Sequence, residues 1–324
     1  MPWVTERQCY GVPSDWDIWN YCDSILDSYQ IDTVLVTPYD AVRYMEDRLE
    51  QARNHLDQSP NNRVVTYNFF DPFEGDHDFE SHGLDPSRCT RMPHDQICMW
   101  EYYLSNKCEN YADQEIPTTF PRHYMCYQRK PNHYRPHVYR TFRHDPNGLV
   151  TLGTVDNPQV NHNVHPDNDA PGDISITGDS SLRIHADTAS LGNWDIWQDT
   201  FMIFVSETVR EPDVWCSEKS FKPFMGKRPF ITIGAADSYY QRMRDRGYYT
   251  FEQDFSTLDG RCSTNDLLRR MAVVVEEIRH LDRDQYYVDN LDKIVHNYNN
   301  LRQARNAIPQ RYKQFLEEVA SSVC

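Results

Sequence analysis

Two short apolar runs constrain this chain more than any other feature. Phe201-Met202-Ile203-Phe204-Val205 and Pro229-Phe230-Ile231-Thr232-Ile233 each read as an apolar strand, the second closed by Gly234. Helical segments stand between and after them, at residues 217–226, about 237–246 and 265–281. In the last, Leu267, Met271, Val274, Ile278 and Leu281 share one face, and Ser263 or Thr264 supplies a cap. The same alternation occurs nearer the N-terminus. There Thr33–Thr37 reads as a strand, Val42, Met45, Leu49, Ala52 and Leu56 as a helical stripe, and Arg63–Phe70 as a second β-rich run. Residues 14–30 and 96–111 also read as helical, as does most of 285–323, with an interruption near Pro309. Short strands alternating with amphipathic helices predict an α/β fold with parallel pairing, as two Rossmann-like lobes.

Residues 153–180 break this rhythm, being dense in Gly, Asn, Asp, Pro and His. A loop of that length is unusual inside a compact domain and predicts a functional loop or a connection between lobes. The expected organisation is therefore an N-terminal lobe over 1–152, a linker over 153–180, and a C-terminal lobe over 181–300. A last helix, over 301–324, would pack back on the N-terminal lobe.

Charge and cysteine usage narrow the function classes. The 324 residues carry 33 Lys+Arg against 49 Asp+Glu, a net charge of −16, which argues against bulk nucleic-acid binding. Aromatic residues at 13% argue against a disordered chain. No apolar window is long enough for a membrane span, and Met1-Pro2-Trp3-Val4-Thr5-Glu6 lacks the start of a signal peptide, so no membrane partner is expected. The nine cysteines are irregularly spaced with no C-x-x-C, which predicts reduced thiols, a cytoplasmic setting and no zinc cluster.

Phosphate-loop and dinucleotide fingerprints are both missing, and only 12 Gly occur, which disfavours a P-loop ATPase or a Rossmann dehydrogenase. Two Asp-x-Asp pairs, Asp76-His77-Asp78 and Asp167-Asn168-Asp169, could hold a divalent cation, the second beside His162 and His165. A chain this acidic yields such pairs by chance, and no metal is expected. Between Arg122 and Arg143 the pattern changes: Arg122, Arg129, Lys130, Arg135, Arg140 and Arg143 occur with no acidic residue among them. This reads either as a solvated basic face or as an anion pocket, because the guanidinium fork fits phosphate oxygens. Tyr124, Tyr127, Tyr134 and Tyr139 interleave with the arginines, as base-stacking platforms would. A second polar stretch begins at Glu207, beyond the first apolar strand, and continues at Ser217-Glu218-Lys219-Ser220. A helix starting near Ser217 offers unpaired N–H groups and a positive dipole end to a diphosphate, or else is simply capped. Lys222, Lys227 and Arg228 add a further basic cluster.

Phe-Val-Ser-Glu-Thr (204–208), Ser-Glu-Lys-Ser-Phe-Lys-Pro (217–223), Arg-Pro-Phe-Ile-Thr-Ile-Gly (228–234) and Arg-Gly-Tyr-Tyr-Thr-Phe (246–251) together resemble the donor-binding lobe of alpha-1,3-fucosyltransferase-like enzymes. The chain is more similar still to glycosyltransferase-like proteins of tailed phages and large DNA viruses. In those, a basic segment like Arg129 to His137 precedes the Glu-Lys lobe, and a His-Asn pair like His296-Asn297 follows it. The resemblance spans roughly residues 124–300. It implies a GT-B-like fold and a transferase that takes a sugar from a nucleoside diphosphate sugar, with no other cofactor and no metal. It also implies that Arg129, Arg135, Arg140, Glu207, Ser217, Glu218 and Lys219 bind the donor. The acceptor-side base would come from the N-terminal lobe, with Glu74 and Asp76 as the candidates. Cys216-Ser217 stands where the fucosyltransferases carry an aromatic residue and Thr, and Gln128 where the viral proteins often carry Asn; donor and acceptor stay open. Two other readings stand beside this one. One is a non-catalytic binding or virion-associated protein; the other is a sugar transferase acting on modified DNA bases.

Overall fold

The computed structural model describes residues 33–36, 50, 53–54, 56–60, 63–66, 80, 83–91, 96–128, 134–152, 191–192, 194–207, 216–235, 237–256 and 263–321. The chain divides into two compact units, Met1–Tyr102 with Ala304–Cys324, and Tyr103–Gln303. The first contains a parallel sheet of β1 (Thr33–Val36), β2 (Arg63–Thr66) and β3 (Cys89–Arg91), in that order. β1 and β2 occupy two expected β runs; β3 is too short to show a period. Ahead of it, Asp85 accepts the Ser87 N–H (3.0 Å) and caps a tight turn over Pro86–Arg88. Arg88 donates to the carbonyls of Leu56 and Ser59 (2.7 and 2.5 Å), closing the end of a helical turn at 56–58.

The second unit is built on β4 (Arg122–Cys126), β5 (Gly148–Val150), β6 (Thr200–Val205) and β7 (Phe230–Thr232), all parallel, in the order β5-β4-β6-β7. β6 and β7 are the two apolar runs, and every residue in them is buried, as strands covered on both faces must be. β4 carries no apolar run, yet it is central. Its Tyr124 ring lies where a side chain on residue 148 would stand, so only glycine lets β5 approach. The Tyr124 hydroxyl donates to Asp145 (2.8 Å), so a polar-tipped aromatic serves as core.

The described helices are α1 (Gln96–Ser105), α2 (Arg135–Phe142), α3 (Trp194–Asp199), α4 (Glu218–Met225), α5 (Asp237–Asp245), α6 (Thr264–His280), α7 (Arg283–Asp289) and α8 (Leu291–Ser321). α4, α5 and α6 lie close to the expected ranges. In α6 Leu267, Met271, Val274 and Ile278 are buried, and Ser263 caps it by accepting the Asp266 N–H. α8 continues as helix through Pro309, against the interruption expected there. Ile294, Tyr298, Leu301, Ala304 and Ile308 form a buried stripe along it, and burial of that stripe outweighs the roughly 3 kcal/mol a helical proline costs. Aromatic packing fills the rest of the second unit's core, including Phe224 stacked on Tyr248 at 4.4 Å and Phe120 against Tyr287 at 4.7 Å.

The boundary expected at residue 152 does not separate two sheets. β4 and β5 lie before it in sequence and pair in one sheet with β6 and β7, which lie after it. Residues 304–324 group with 1–102. Among the described residues, no helix is long and apolar enough to cross a membrane.

Candidate functional site

The strand order of the second unit marks one place on its sheet. From β4 the chain passes to β5 on one side, then returns to β6 on the other. The strand order thus reverses between β4 and β6, and in open α/β sheets ligands bind at the carboxyl ends of the strands beside such a reversal. Extending the register from Met125↔Ile203 sets Gln128 level with Ser206, just beyond both strand ends. Alternation along an extended chain points Ser206 and Glu207 to opposite faces of the sheet.

On one face, Arg135 at the start of α2 donates through Nε to the Ser206 hydroxyl (3.1 Å) and through Nη2 to the Ser206 carbonyl (2.6 Å). Arg135 is almost wholly buried, at 1% exposure. Tyr134 beside it donates to the carbonyls of Glu207 (3.1 Å) and Ile233 (3.4 Å) and accepts from Ser206 Oγ (3.2 Å). Burial pushes the Tyr134 phenol up to about 12, so it stays a donor at neutral pH. On the same face, burial lifts the Cys126 thiol to about 12 against the pull of Arg135, which makes it an inert core group.

On the other face, the Glu207 carboxylate organises the start of α4. Oε1 accepts from the Ser217 N–H (3.0 Å) and the Ser220 hydroxyl (2.6 Å), and Oε2 from the Ser217 hydroxyl (2.6 Å). Ser217 caps the helix by accepting the Lys219 N–H. The Lys219 ammonium lies 4.0 Å from Glu207 Oε2, 2.8 Å from Glu218 Oε1 and 2.9 Å from Ser217 Oγ. Burial works to raise the Glu218 pKa, but Lys219 and Lys222 beside it and hydrogen bonds from Lys219 and the backbone prevail, holding it at about 2. Two cations thus meet consecutive residues of one strand end, Arg135 at Ser206 and Lys219 at Glu207. An anion at the start of α4 would meet the helix dipole and Lys219 and would compete with two carboxylates for that lysine.

Of the expected donor-binding residues, Arg135, Glu207, Ser217, Glu218 and Lys219 gather at the carboxyl ends of these strands. Glu207 accepts three hydrogen bonds from Ser217 and Ser220, and so positions α4. Arg140 is placed elsewhere: it is exposed, about 7 Å along α2 from Arg135, and its Nε donates to the Pro136 carbonyl (3.3 Å). Glu74, Asp76 and Arg129 lie outside the described residues. So do both Asp-x-Asp pairs with His162 and His165; among the described residues no group of three or more His, Cys, Asp or Glu is placed to hold a metal ion.

The basic stretch does not form one pocket. Arg122 starts β4, at the opposite end from Arg135, and donates to Ile196 O and Thr200 Oγ1 (3.3 Å each). Arg143 is exposed and lies over the Tyr139 ring. Two members of the second basic cluster, Lys227 and Arg228, are structural as well. Lys227 donates to the carbonyls of Tyr111, Ala112 and Gln114 (3.3 Å each) and sits 4.7 Å from the Tyr298 ring centroid. Arg228 is buried beside the packed Phe120 and Tyr287 rings and donates to the carbonyls of Trp197, Thr200 and Lys227 (2.6–2.9 Å), among others. It therefore caps the carbonyl end of α3. The His296-Asn297 pair has a local role too. Asn297 bonds both backbone groups of Tyr249 (2.7 and 2.8 Å), and His296 Nε2 meets the Gly247 carbonyl (2.9 Å).

Four residues with no expected part in donor binding also stand at these strand ends: Tyr134, Ser206, Ser220 and Gln128. Ser206 directly follows the β6 run and Ser220 sits one turn beyond the cap residue, so strand-end and i,i+3 spacing would have found both. Tyr134 and Gln128 both stand in the basic run, and only tertiary placement sets them apart from its other residues. Set against protein-family models, characterised proteins and solved structures, the chain gives no match.

Proposed function

We propose that this chain is a glycosyltransferase that moves a sugar from a nucleoside diphosphate sugar to an acceptor hydroxyl, with the diphosphate at the carboxyl ends of β4 and β6. The observation that carries this reading is that Arg135 and Lys219 flank the end of β6 from its two faces, at Ser206 and at Glu207, beside the strand-order reversal. In such a transfer the acceptor oxygen attacks the anomeric carbon, and the bond to the diphosphate breaks. The electron pair leaves on the phosphate oxygen, and the hydroxyl proton passes to a base. Arg135 and Lys219 would stabilise the charge that grows on the departing diphosphate, taking the part a metal plays elsewhere. Metal independence, the acceptor-side base and the GT-B arrangement of two Rossmann-like lobes belong to the same proposal. A parallel sheet in each unit is compatible with that arrangement.

A nucleoside diphosphate sugar at a hundred times its Kd should stabilise the protein by about 2.7 kcal/mol. That is a rise of about 5–11 °C in Tm for a unit of this size. Transfer or hydrolysis of the sugar should persist in EDTA, and Lys219→Ala should abolish both the shift and the turnover. If no member of a nucleotide-sugar panel shifts Tm, or if Lys219→Ala binds as well as wild type, the reading fails. A second reading, a binding protein without catalysis, is favoured by one observation: Glu207 and Arg135 are both engaged and buried within the fold. Binding of a nucleoside diphosphate sugar with no turnover would select it.

A further inference from the structure

Gln128 is wholly buried, at 0% exposure, just beyond the carboxyl end of β4. Its backbone N–H meets the Thr151 hydroxyl (3.4 Å), and Nε2 turns back onto Cys126 Sγ (3.5 Å). Among the described residues, Oε1 has no hydrogen-bond partner. A buried amide oxygen left without a donor costs folding free energy, and such a group needs a reason to be there. Its place supplies one. Gln128 is level with Ser206 in the sheet register, on the side that Cys126 shares with Arg135.

We infer that Gln128 is a specificity-determining residue of this site, its amide oxygen accepting a hydrogen bond from a hydroxyl that the ligand carries beside the anion held by Arg135. The inference rests on the nucleotide-sugar reading and adds to it a preference. A phosphate oxygen brings no proton to an amide oxygen, whereas a ribose or sugar hydroxyl does. The site then distinguishes a nucleoside diphosphate sugar from bare diphosphate at this residue, because a buried acceptor rejects a ligand that lacks the donor.

The test uses the full chain, with UDP-glucose, GDP-fucose and inorganic diphosphate as probes and calorimetry and thermal unfolding as readouts. Gln128→Met nearly keeps the side chain's shape and removes the acceptor. Its Tm without ligand should equal or exceed wild type, because an unpaired polar group is lost. Its affinity for the better nucleotide sugar should fall about tenfold, while that for diphosphate changes by less than about twofold. If Gln128→Met fails to fold, Gln128→Asn, which withdraws the amide by one methylene, should give the same split. An equal loss for both probes overturns the inference, since the amide would then present Nε2 to the anion. So does a drop of several degrees in Tm with unchanged affinity, which would make Gln128 a structural group. If wild type binds neither probe class, the nucleotide-sugar reading falls and this inference with it. If wild type binds and Lys219→Ala does not, while Gln128→Met binds normally, only this inference falls.

Discussion

Arg135 meets Ser206 twice, at the hydroxyl (3.1 Å) and at the backbone carbonyl (2.6 Å). This pair links the first turn of α2 to the end of β6, across the point where the strand order reverses. It makes one buried arginine the hinge between fold and site, whereas Arg140 on the same helix faces solvent.

Arg135 and Arg140 should therefore separate cleanly. Arg140→Ala should leave both Tm and nucleotide-sugar affinity within experimental scatter, as exposed charges typically do. Arg135→Ala strands the Ser206 carbonyl and should cost about 2–4 kcal/mol of stability, along with ligand binding. Urea unfolding and calorimetry on both variants decide it; equal effects would contradict the placement.

Glu207→Gln tests the start of α4. The substitution puts an NH₂ opposite hydroxyl or N–H donors and removes the charge facing Lys219. A loss of about 2–4 kcal/mol in urea unfolding is expected for a buried, multiply bonded carboxylate. A change below about 0.5 kcal/mol would mean that Glu207 does not order the helix start.

Arg228 should prove structural. Arg228→Met leaves several buried carbonyls without donors and should destabilise the protein by about 3–5 kcal/mol. Tyr287→Phe removes one hydroxyl that accepts from Arg228 and donates to the Lys227 carbonyl, and should cost about 1–2 kcal/mol. If Arg228→Met folds stably but loses ligand, the residue belongs to the anion site after all.

Acid should weaken the protein partly through Glu218. Its folded pKa of about 2 lies below the ordinary 4.5, so between those values the unfolded chain binds more protons. The stabilisation is complete above the ordinary value and is lost as pH falls toward about 2. Glu218→Gln should flatten the dependence of the urea midpoint on pH over this window, and Lys219→Ala should flatten it in part. An unchanged slope in both variants would show that Glu218 is not held down by its neighbours.

Different parts of the architecture were legible to different degrees. β6 and β7 show themselves because a strand covered on both faces reads as a nearly continuous apolar run. α6 shows itself through its period and its Ser263 cap. β4 stays hidden because its register partners tolerate Arg122 at one end and let Tyr124 carry its hydroxyl to Asp145. β4 is also what joins β5 to β6, so one sheet draws strands from both sides of residue 152.

The site divides in the same way. Local sequence determines that a helix starts at Ser217 with Glu218 and Lys219 in its first turn, because capping depends on neighbours a few residues apart. It also determines the net charge of −16 and the run of arginines around Arg135. Only the tertiary structure decides which cations remain near the strand ends. Arg228 and Lys227 turn inward onto carbonyls, Arg122 starts at the far end of β4, and Arg135 and Lys219 reach Ser206 and Glu207 from the two faces of the sheet. A guanidinium or ammonium bonds whichever acceptors the fold brings within about 3 Å, and those acceptors lie tens of residues away in sequence.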